Sequence, residues 1–244
     1  MANIVLERPL ITVTDIVWGF DQTTQQVNVL LIKRADQPFQ NFWALPETAM
    51  RVHESAHEAA LRLIREKIGL DLSAFHAEQL ATFTAPDRAP GERALSLSYM
   101  IFLPQLPELT PGPGALAAAW FALTPQTNGR FRFSRAGQQF TTLAADEYLR
   151  DQTPTTGLAF DHNWILTVAC QRIANKLDYQ PTILLILGPK FTLKQARHIF
   201  AQFGQSEPDN SNFLRNHKKL LTPAGSRPQP GPGRPAKEFR LANF

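Results

Sequence analysis

Two periodicities divide the chain. From residue 15 to residue 123, apolar runs of strand length alternate with polar, turn-forming segments. "DIVWGF" and "VNVLLIKRA" are rich in β-branched and aromatic residues and are separated by "DQTTQQ", which predicts two consecutive strands joined by a turn. "LATFTA", "ALSLSYMIFL" and "AAAWFAL" predict three more, and a last short element falls around "ADEYLR". Between them, "HESAHEAALRLIREKIGL" changes period: Ala56, Ala59, Ala60, Leu63, Ile64 and Ile68 recur at helical spacing, with Gly69 in place for a C-cap. Strands, one buried helix and further strands describe a mixed α/β unit. "PQLPELTPGPG" reads as a surface connection and "RDQTPTTGL" as a linker.

Beyond the linker the pattern is helical. "FDHNWILTVACQRIANKLDY" carries Leu166, Ala169, Cys170, Ile173 and Leu177 on one stripe, with Asp161 as N-cap. His162, in its first turn, reads as a polar contact before it reads as a catalytic base. "PTILLILGP" is a short apolar element bounded by prolines. "FTLKQARHIFAQFG" has Thr192 as N-cap and Leu193, Ala196, Phe200 and Phe203 on its inner face. "NSNFLRNHKKLL" follows, capped by Asp209, and predicts a second helix whose outer face carries Asn212, Arg215, Asn216 and Lys219. Two short helices with a tight connection form a helix-turn-helix pattern. The basic, Pro/Gly-rich "GSRPQPGPGRP" and the strand-like "KEFRL" then predict a wing, the alternative being a disordered basic tail. The organisation expected is an effector-binding domain over 1–152 and a DNA-binding domain over 153–244.

Charge sharpens this division. Residues 1–150 carry 13 Lys and Arg against 15 Asp and Glu, whereas residues 151–244 carry 12 against 6. A front half at −2 and a back half at +6 point to a polyanion partner for the back half. Asn pairs with adenine and Arg with guanine in the major groove, so Asn212, Arg215 and Asn216 are candidates for base contact. Lys218 and Lys219 suit phosphates. Thr192, Lys194 and Gln195 at the start of the preceding helix, and Arg227, Arg234 and Lys237 on the wing, complete the expected DNA-binding set. Hydrophobic content of 43% is that of a globular protein, a single cysteine excludes an internal disulfide, and no stretch reaches the length of a membrane span. With no basic-then-apolar leader at the start, the expectation is a cytoplasmic protein with no membrane contact.

The stretch from Leu45 to Leu70 carries a more specific signal. Setting Arg62 on the arginine of the pattern G-x5-E-x7-R-E-U-x-E-E-x-G-U puts Thr48 at its glycine, Glu54 at its first glutamate and Gly69-Leu70 at its terminal pair. With "LLIKR" and "FWALP" upstream, residues 10–125 resemble the Nudix superfamily of pyrophosphate hydrolases. That resemblance implies Mg²⁺ held by carboxylates on one helix face. Here R-E-U-x-E-E becomes Arg62-Leu63-Ile64-Arg65-Glu66-Lys67, and the usual L-P-G-G ends in Glu47-Thr48. Neither catalytic residues, a metal nor a cofactor is expected, although Glu54, Glu58 and Glu66 leave open a metal site of other geometry. Arg62 reads as a structural partner for Glu66 or a backbone carbonyl. The candidate effector residues are Arg34, Arg88, Arg93 and Lys67 for an anion, with Glu66 beside them. Phe39 and Trp43 either stack on a base or pack in the fold.

The back half resembles the Nudix-related transcriptional regulators of NAD metabolism, through "LAFDHNWIL", "NKLDYQPTILLILGPKFTLKQ", Asn212-Phe213-Leu214-Arg215 and "GRPAKEFRL". "TFTAPDRAPGERALSLSYM" is similar to a loop and strand those regulators share with ADP-ribose-processing enzymes, except that Ala89 follows Arg88 where the pattern has Asp. The resemblance implies a Nudix-like α/β/α sandwich followed by a mostly α winged helix-turn-helix domain. It further implies a homodimeric repressor of double-stranded DNA, released by a small phosphate-bearing effector such as ADP-ribose. The competing readings are a nucleoside-diphosphate hydrolase with an unusual metal site and, last, an RNA-binding module.

Overall fold

A computed structural model describes residues 8–70, 76–144, 157–204, 209–228 and 235–242. The element expected around "ADEYLR", most of the linker, and Arg234 fall outside these residues.

The front half is one mixed sheet in the order β5-β6-β1-β2-β7-β8-β9. Its long strands are β1 (Leu10–Asp21), β2 (Gln26–Arg34), β5 (His76–Phe83), β6 (Ala94–Phe102) and β7 (Ala115–Pro125). The short β3 (Trp43–Ala44) joins β2, and β4 (Glu47–Ala49) joins β1. β1 runs parallel to β6 and antiparallel to β2, so the predicted hairpin is present. Two strands not predicted, β8 (Phe131–Arg135) and β9 (Gln138–Thr141), extend the sheet through a tight turn at Ala136 and Gly137, both at positive φ.

Alternation along β1 sorts its side chains between two cores. Val13 packs with Ala59 and Ala60, and Val17 with Ile64 and Ile68, all of α1 (Ala56–Ile68). Burying each of the larger aliphatic side chains contributes roughly 1.5–3 kcal/mol. α1 begins at a Ser55–Glu58 capping box and stops at Gly69, at φ 70, as the predicted C-cap requires. Ile16, Trp18 and Phe20 face the opposite core, which also takes in Ile165 and Leu166 of α2 (His162–Lys176).

α2 was expected within the DNA-binding half, yet it packs on this sheet. Its Asn163 Nδ2 donates to Thr141 O at 3.1 Å and its Lys176 Nζ to Glu78 Oε2 at 2.8 Å. Eleven of its residues are buried, more than a one-sided amphipathic helix would bury, because it lies under the sheet and the C-terminal elements together. Asp161 occupies the N-cap position without a capping hydrogen bond, its carboxylate being held elsewhere. Cys170 is a fully buried core residue whose thiol burial pushes up in pKa.

The C-terminal unit contains a 3-10 turn (Thr182–Leu187), β10 (Phe191–Thr192), α3 (Leu193–Gln202), α4 (Asn210–Asn216), β11 (Leu221–Arg227) and β12 (Ala236–Leu241). β12 lies between β10 and β11 in a small antiparallel sheet. α3 docks on the β1–β2 turn: Gln202 Oε1 accepts from Val27 N–H at 2.8 Å and Gln202 Nε2 donates to Gln25 O at 3.0 Å. Phe203 seals the same junction against Trp18 and Phe131.

Candidate functional site

Arg62, in the middle of α1, gathers Glu66 one turn on and the segment that precedes the helix. All five guanidinium N–H groups are engaged: with Glu54 at 2.8 and 2.6 Å, Glu66 at 2.9 Å, Thr48 Oγ1 at 3.2 Å and Ala49 O at 2.9 Å. Arg62 is thus the structural partner that the sequence predicts. Its hydrogen bonds hold the Glu54 carboxyl at about 2. The other oxygen of Glu66 takes Arg51 at 3.0 Å. Burial pushes the Glu66 pKa up, but the two arginines outweigh it and bring it down.

Lys67 does not pair with Glu66. Its Nζ donates to Pro113 O at 2.5 Å, and burial together with the nearby Arg34 charge lowers its pKa. The "TPGPG" segment, expected to be a surface connection, is folded onto the end of α1. Gly112 N–H caps Lys67 O at 2.9 Å, and a Cβ at Gly112 would lie 1.9 Å from Glu66 O. These residues do not fit the family's divalent ion. Position 63 is Leu, position 67 is a cation, Glu54 and Glu66 are ion-paired, and among the described residues no three His, Cys, Asp or Glu side chains are grouped to hold a metal.

On the other side of the same loop, Glu47 enters a polar cage. Its Oε2 accepts from Thr14 Oγ1 at 2.9 Å and from Thr12 Oγ1 at 3.2 Å. Arg88 Nη2 stands 3.6 Å from that oxygen and His162 Nε2 3.7 Å, both beyond a full hydrogen bond. Burial pushes the Glu47 carboxyl up, yet the His162 ring, Arg88 and Thr14 bring it down to about 2. His162 Nδ1 accepts Leu45 N–H at 3.0 Å, so this histidine anchors the loop, in keeping with the polar contact predicted for it. Arg88 forms a two-point pair with Asp161 at 3.0 and 2.9 Å, which explains the missing cap at α2. A cavity of about 230 Å³ opens beside this pair, lined by Thr82, Asp87 and Trp164.

Between Glu47 and Lys67 lies an aromatic group that sequence reading found in part. Phe39, at φ 64, meets Phe160 at 4.9 Å and Phe42 at 5.7 Å. Arg34 lies over the Phe160 ring at 4.8 Å and donates to Pro38 O at 3.0 Å. The guanidinium is lowered in pKa by burial, against the nearby Glu47 and Asp36 charges. Charge interactions link Arg34 to Lys67 and to Glu47, which Arg88 approaches, whereas the Glu66 carboxylate is taken up by Arg51 and Arg62. Trp43 is buried and packs edge-on against Phe121 at 4.9 Å. Arg93 turns away to the carbonyls of Thr84 and Ala85 at 2.9 and 3.0 Å. Glu47, Arg51 and Phe160 went unassigned. Glu47 was visible as a replaced glycine, whereas no spacing or motif signals the other two.

In the C-terminal unit, Phe213 and His217 are buried beneath α4. Arg215 and Asn216 are exposed, Asn212 partly so, and Arg215 Nη2 donates to Asn212 Oδ1 at 2.7 Å. The helix is shorter than expected: it ends at Asn216, and residues 217–220 form a turn. His217 closes it by bonding Phe213 O at 2.9 Å and Asp178 Oδ1 at 3.2 Å. Lys218 and Lys219 consequently stand exposed on that turn, so Lys219 does not continue the helix face. Thr192 and Gln195 form the α3 capping box, with Gln195 Nε2 also donating to Gln22 at 3.2 Å, while Lys194 is exposed. Arg227 pairs with Glu238 across the wing at 2.8 Å, and Lys237 is exposed.

Comparison with known proteins agrees with this layout. The NUDIX domain model matches residues 11–132 and the NrtR DNA-binding winged helix domain model residues 183–241. An ADPR responsive transcriptional repressor NtrR of Acinetobacter baylyi is 27% identical over 195 residues, 79% of this chain and 65% of that protein, less than two thirds of its length. A MutT/nudix family protein of Enterococcus faecalis has a TM-score of 0.85 at 30% identity over 99% of this chain and 90% of that one. Shewanella oneidensis NrtR complexed with a 27mer DNA has a TM-score of 0.67 at 21% identity over 95% and 93%. The chain belongs to the Nudix family and joins to its Nudix domain a winged helix domain of the NrtR type.

Proposed function

We propose that this protein is a DNA-binding transcriptional repressor, working as a homodimer, whose Nudix domain binds ADP-ribose or a related nucleoside diphosphate without hydrolysing it. The observation that carries the reading is a contrast within one chain. The helix face that serves metal in the family is closed by Arg51 and Arg62, while the winged helix leaves Arg215, Lys218 and Lys219 exposed. Arg34 and Lys67 supply positive charge suited to a diphosphate, and Phe39 supplies ring surface beside it. Arg88 and Arg93 contribute as architecture. The relative in Acinetobacter baylyi that responds to ADPR supports the choice of effector, and control of NAD-metabolism genes belongs to the same proposal through the resemblance of the back half to regulators of NAD metabolism.

In this reading the sensor comprises the large sheet with α1 and α2, and the reader begins after α2. The division expected at 152/153 follows composition, not packing. Ligand and DNA are coupled because β2 runs from Arg34 at the effector region to Val27 at the Gln202 contact of α3. The test is fluorescence anisotropy of a duplex from upstream of the protein's own gene, against a scrambled duplex at matched salt. Sequence-preferring binding that ADP-ribose weakens is the expected result. Turnover of ADP-ribose by the wild type with Mg²⁺, followed by phosphate release in a coupled assay, would overturn the non-hydrolytic assignment.

A further inference from the structure

Glu47 stands where the family's L-P-G-G loop has a glycine, and it places a carboxylate in a site otherwise suited to anions. The hydroxyl chain Ser98–Ser96–Thr14 runs along the sheet to it, with Ser96 and Thr14 in contact at 2.7 Å and Ser96 and Ser98 at 3.3 Å. Thr12, Thr14, Arg88 and His162 all converge on one oxygen, Oε2. Oε1 has no hydrogen-bond partner among the described residues, and the side chain keeps 15% of its surface exposed. A cage that could hold one oxygen of a bound anion is therefore filled from within, and the Glu47 charge lies close enough to Arg34 to act on its guanidinium. An ionised carboxylate accepts hydrogen bonds and repels phosphate, and acidic residues read ribose hydroxyls in dinucleotide sites for that reason.

We propose that Glu47 is the specificity-determining residue of the ligand site: Oε1 accepts the hydroxyls of a ribosyl group, and its charge excludes a further phosphoryl group. This rests on the reading above, in which Arg34 and Lys67 hold a nucleoside diphosphate. Those two cations take the diphosphate, and Glu47 decides what may follow it. A sugar end is admitted, and the third phosphate of a nucleoside triphosphate is turned away.

The experiment is calorimetric titration of the full chain, wild type and Glu47→Gln, with ADP-ribose, ADP and ATP in the absence of divalent ions. Glutamine keeps the shape and removes the charge. Circular dichroism confirms that the variant is folded, and the wild-type series tests the proposal without any variant. Wild type is expected to bind ADP-ribose at least tenfold more tightly than ATP and more tightly than ADP. Glu47→Gln is expected to gain at least tenfold for ATP and to lose affinity for ADP-ribose, so that the preference disappears. Equal wild-type affinity for ATP and ADP-ribose, or an unchanged preference in the folded variant, overturns the proposal while leaving the effector reading intact. Wild-type binding to none of the three overturns that reading and this inference with it.

Discussion

The cations singled out from the sequence are placed differently in the two halves of the molecule, Arg227, which pairs with Glu238 on the wing, being the exception. In the Nudix half, Arg51, Arg62, Arg88 and Arg93 meet carboxylates or carbonyls of the chain itself. In the winged helix, Lys194, Arg215, Lys218, Lys219 and Lys237 face outward. A guanidinium neutralised from within holds loops and helix ends in place, whereas an exposed cation is left for a partner. Under the proposed function, the same residue type carries architecture in one half and recognition in the other. Substitutions should separate the two: stability should change without DNA affinity in the first, and DNA affinity without stability in the second.

The largest effect is expected at Arg88. Its two-point pair with Asp161 is buried, with Glu47 close by, so Arg88→Ala strands carboxylates in the interior. Removing one partner of a buried pair costs about 3–5 kcal/mol. Urea denaturation of Arg88→Ala should show that loss, and Arg88→Met with Asp161→Leu should recover most of it. A loss under about 1 kcal/mol in the single variant would mean that the pair is not a clasp between the sheet and α2.

Asp15 breaks the rule of the Nudix half, because it is fully buried and neither carboxylate oxygen finds a partner among the described residues. Burial raises its pKa well above the usual carboxylate range. The folded chain keeps this proton at pH values where the unfolded chain releases it. Its contribution to stability is then complete below the ordinary value of 3.8 and declines as pH rises above it. Asp15→Val should stabilise the fold by about 1–3 kcal/mol near neutral pH, the cost of a buried unsatisfied polar group. The gap from wild type should narrow as pH falls toward 4, roughly the ordinary carboxyl range, leaving the part due to a protonated carboxyl buried without a partner. Thermal melts of both proteins between those limits provide the check. The shifted Glu47 works the other way, its stabilisation being lost as pH falls from 4.5 toward about 2, and it cancels in the difference between the two proteins.

Much of this contrast was legible in the sequence, through features that are local. The α1 stripe, its Gly69 stop and the Arg62 partnership all follow from spacing within one helix. Charge asymmetry separated the halves before any fold was known. What escaped needs contacts between distant segments. Arg88 and Asp161 are 73 residues apart, and nothing beside either one announces the pair. Asp161 looked like a cap because aspartate at a helix start usually is one. α2 looked like part of the reader because the linker precedes it, although its hydrogen bonds run to Thr141 and Glu78. The missed β8 did carry a signal, Phe131 and Phe133 inward with Arg132 and Ser134 between, but five residues make a faint alternation. α4 ended early because His217 folds back on Phe213, a closure that a helical pattern cannot foretell.

On the recognition side, Arg215 is the residue to change. It is exposed on α4, held by Asn212, and is the guanidinium proposed to read a base edge. Arg215→Ala should weaken binding to a preferred duplex by about 1–3 kcal/mol and relax preference at one base pair. Its melting temperature should match wild type, the mirror image of Arg88→Ala. Equal losses on preferred and scrambled duplexes would reassign Arg215 to the phosphate backbone.

The smallest effect is expected at Lys219, and its form matters more than its size. Because α4 ends at Asn216, Lys219 projects from the turn leading into β11 and not from the helix face. A lysine there is proposed to meet phosphates, which position a protein without reading sequence. Each phosphate neutralised adds about 0.9 to the slope of log affinity against log salt. Lys219→Ala should therefore weaken preferred and scrambled duplexes alike and flatten that slope by about 1. Anisotropy titrations across a salt series measure both quantities at once. A change confined to the preferred duplex would put Lys219 back among the base-reading residues and undo the division between helix and turn.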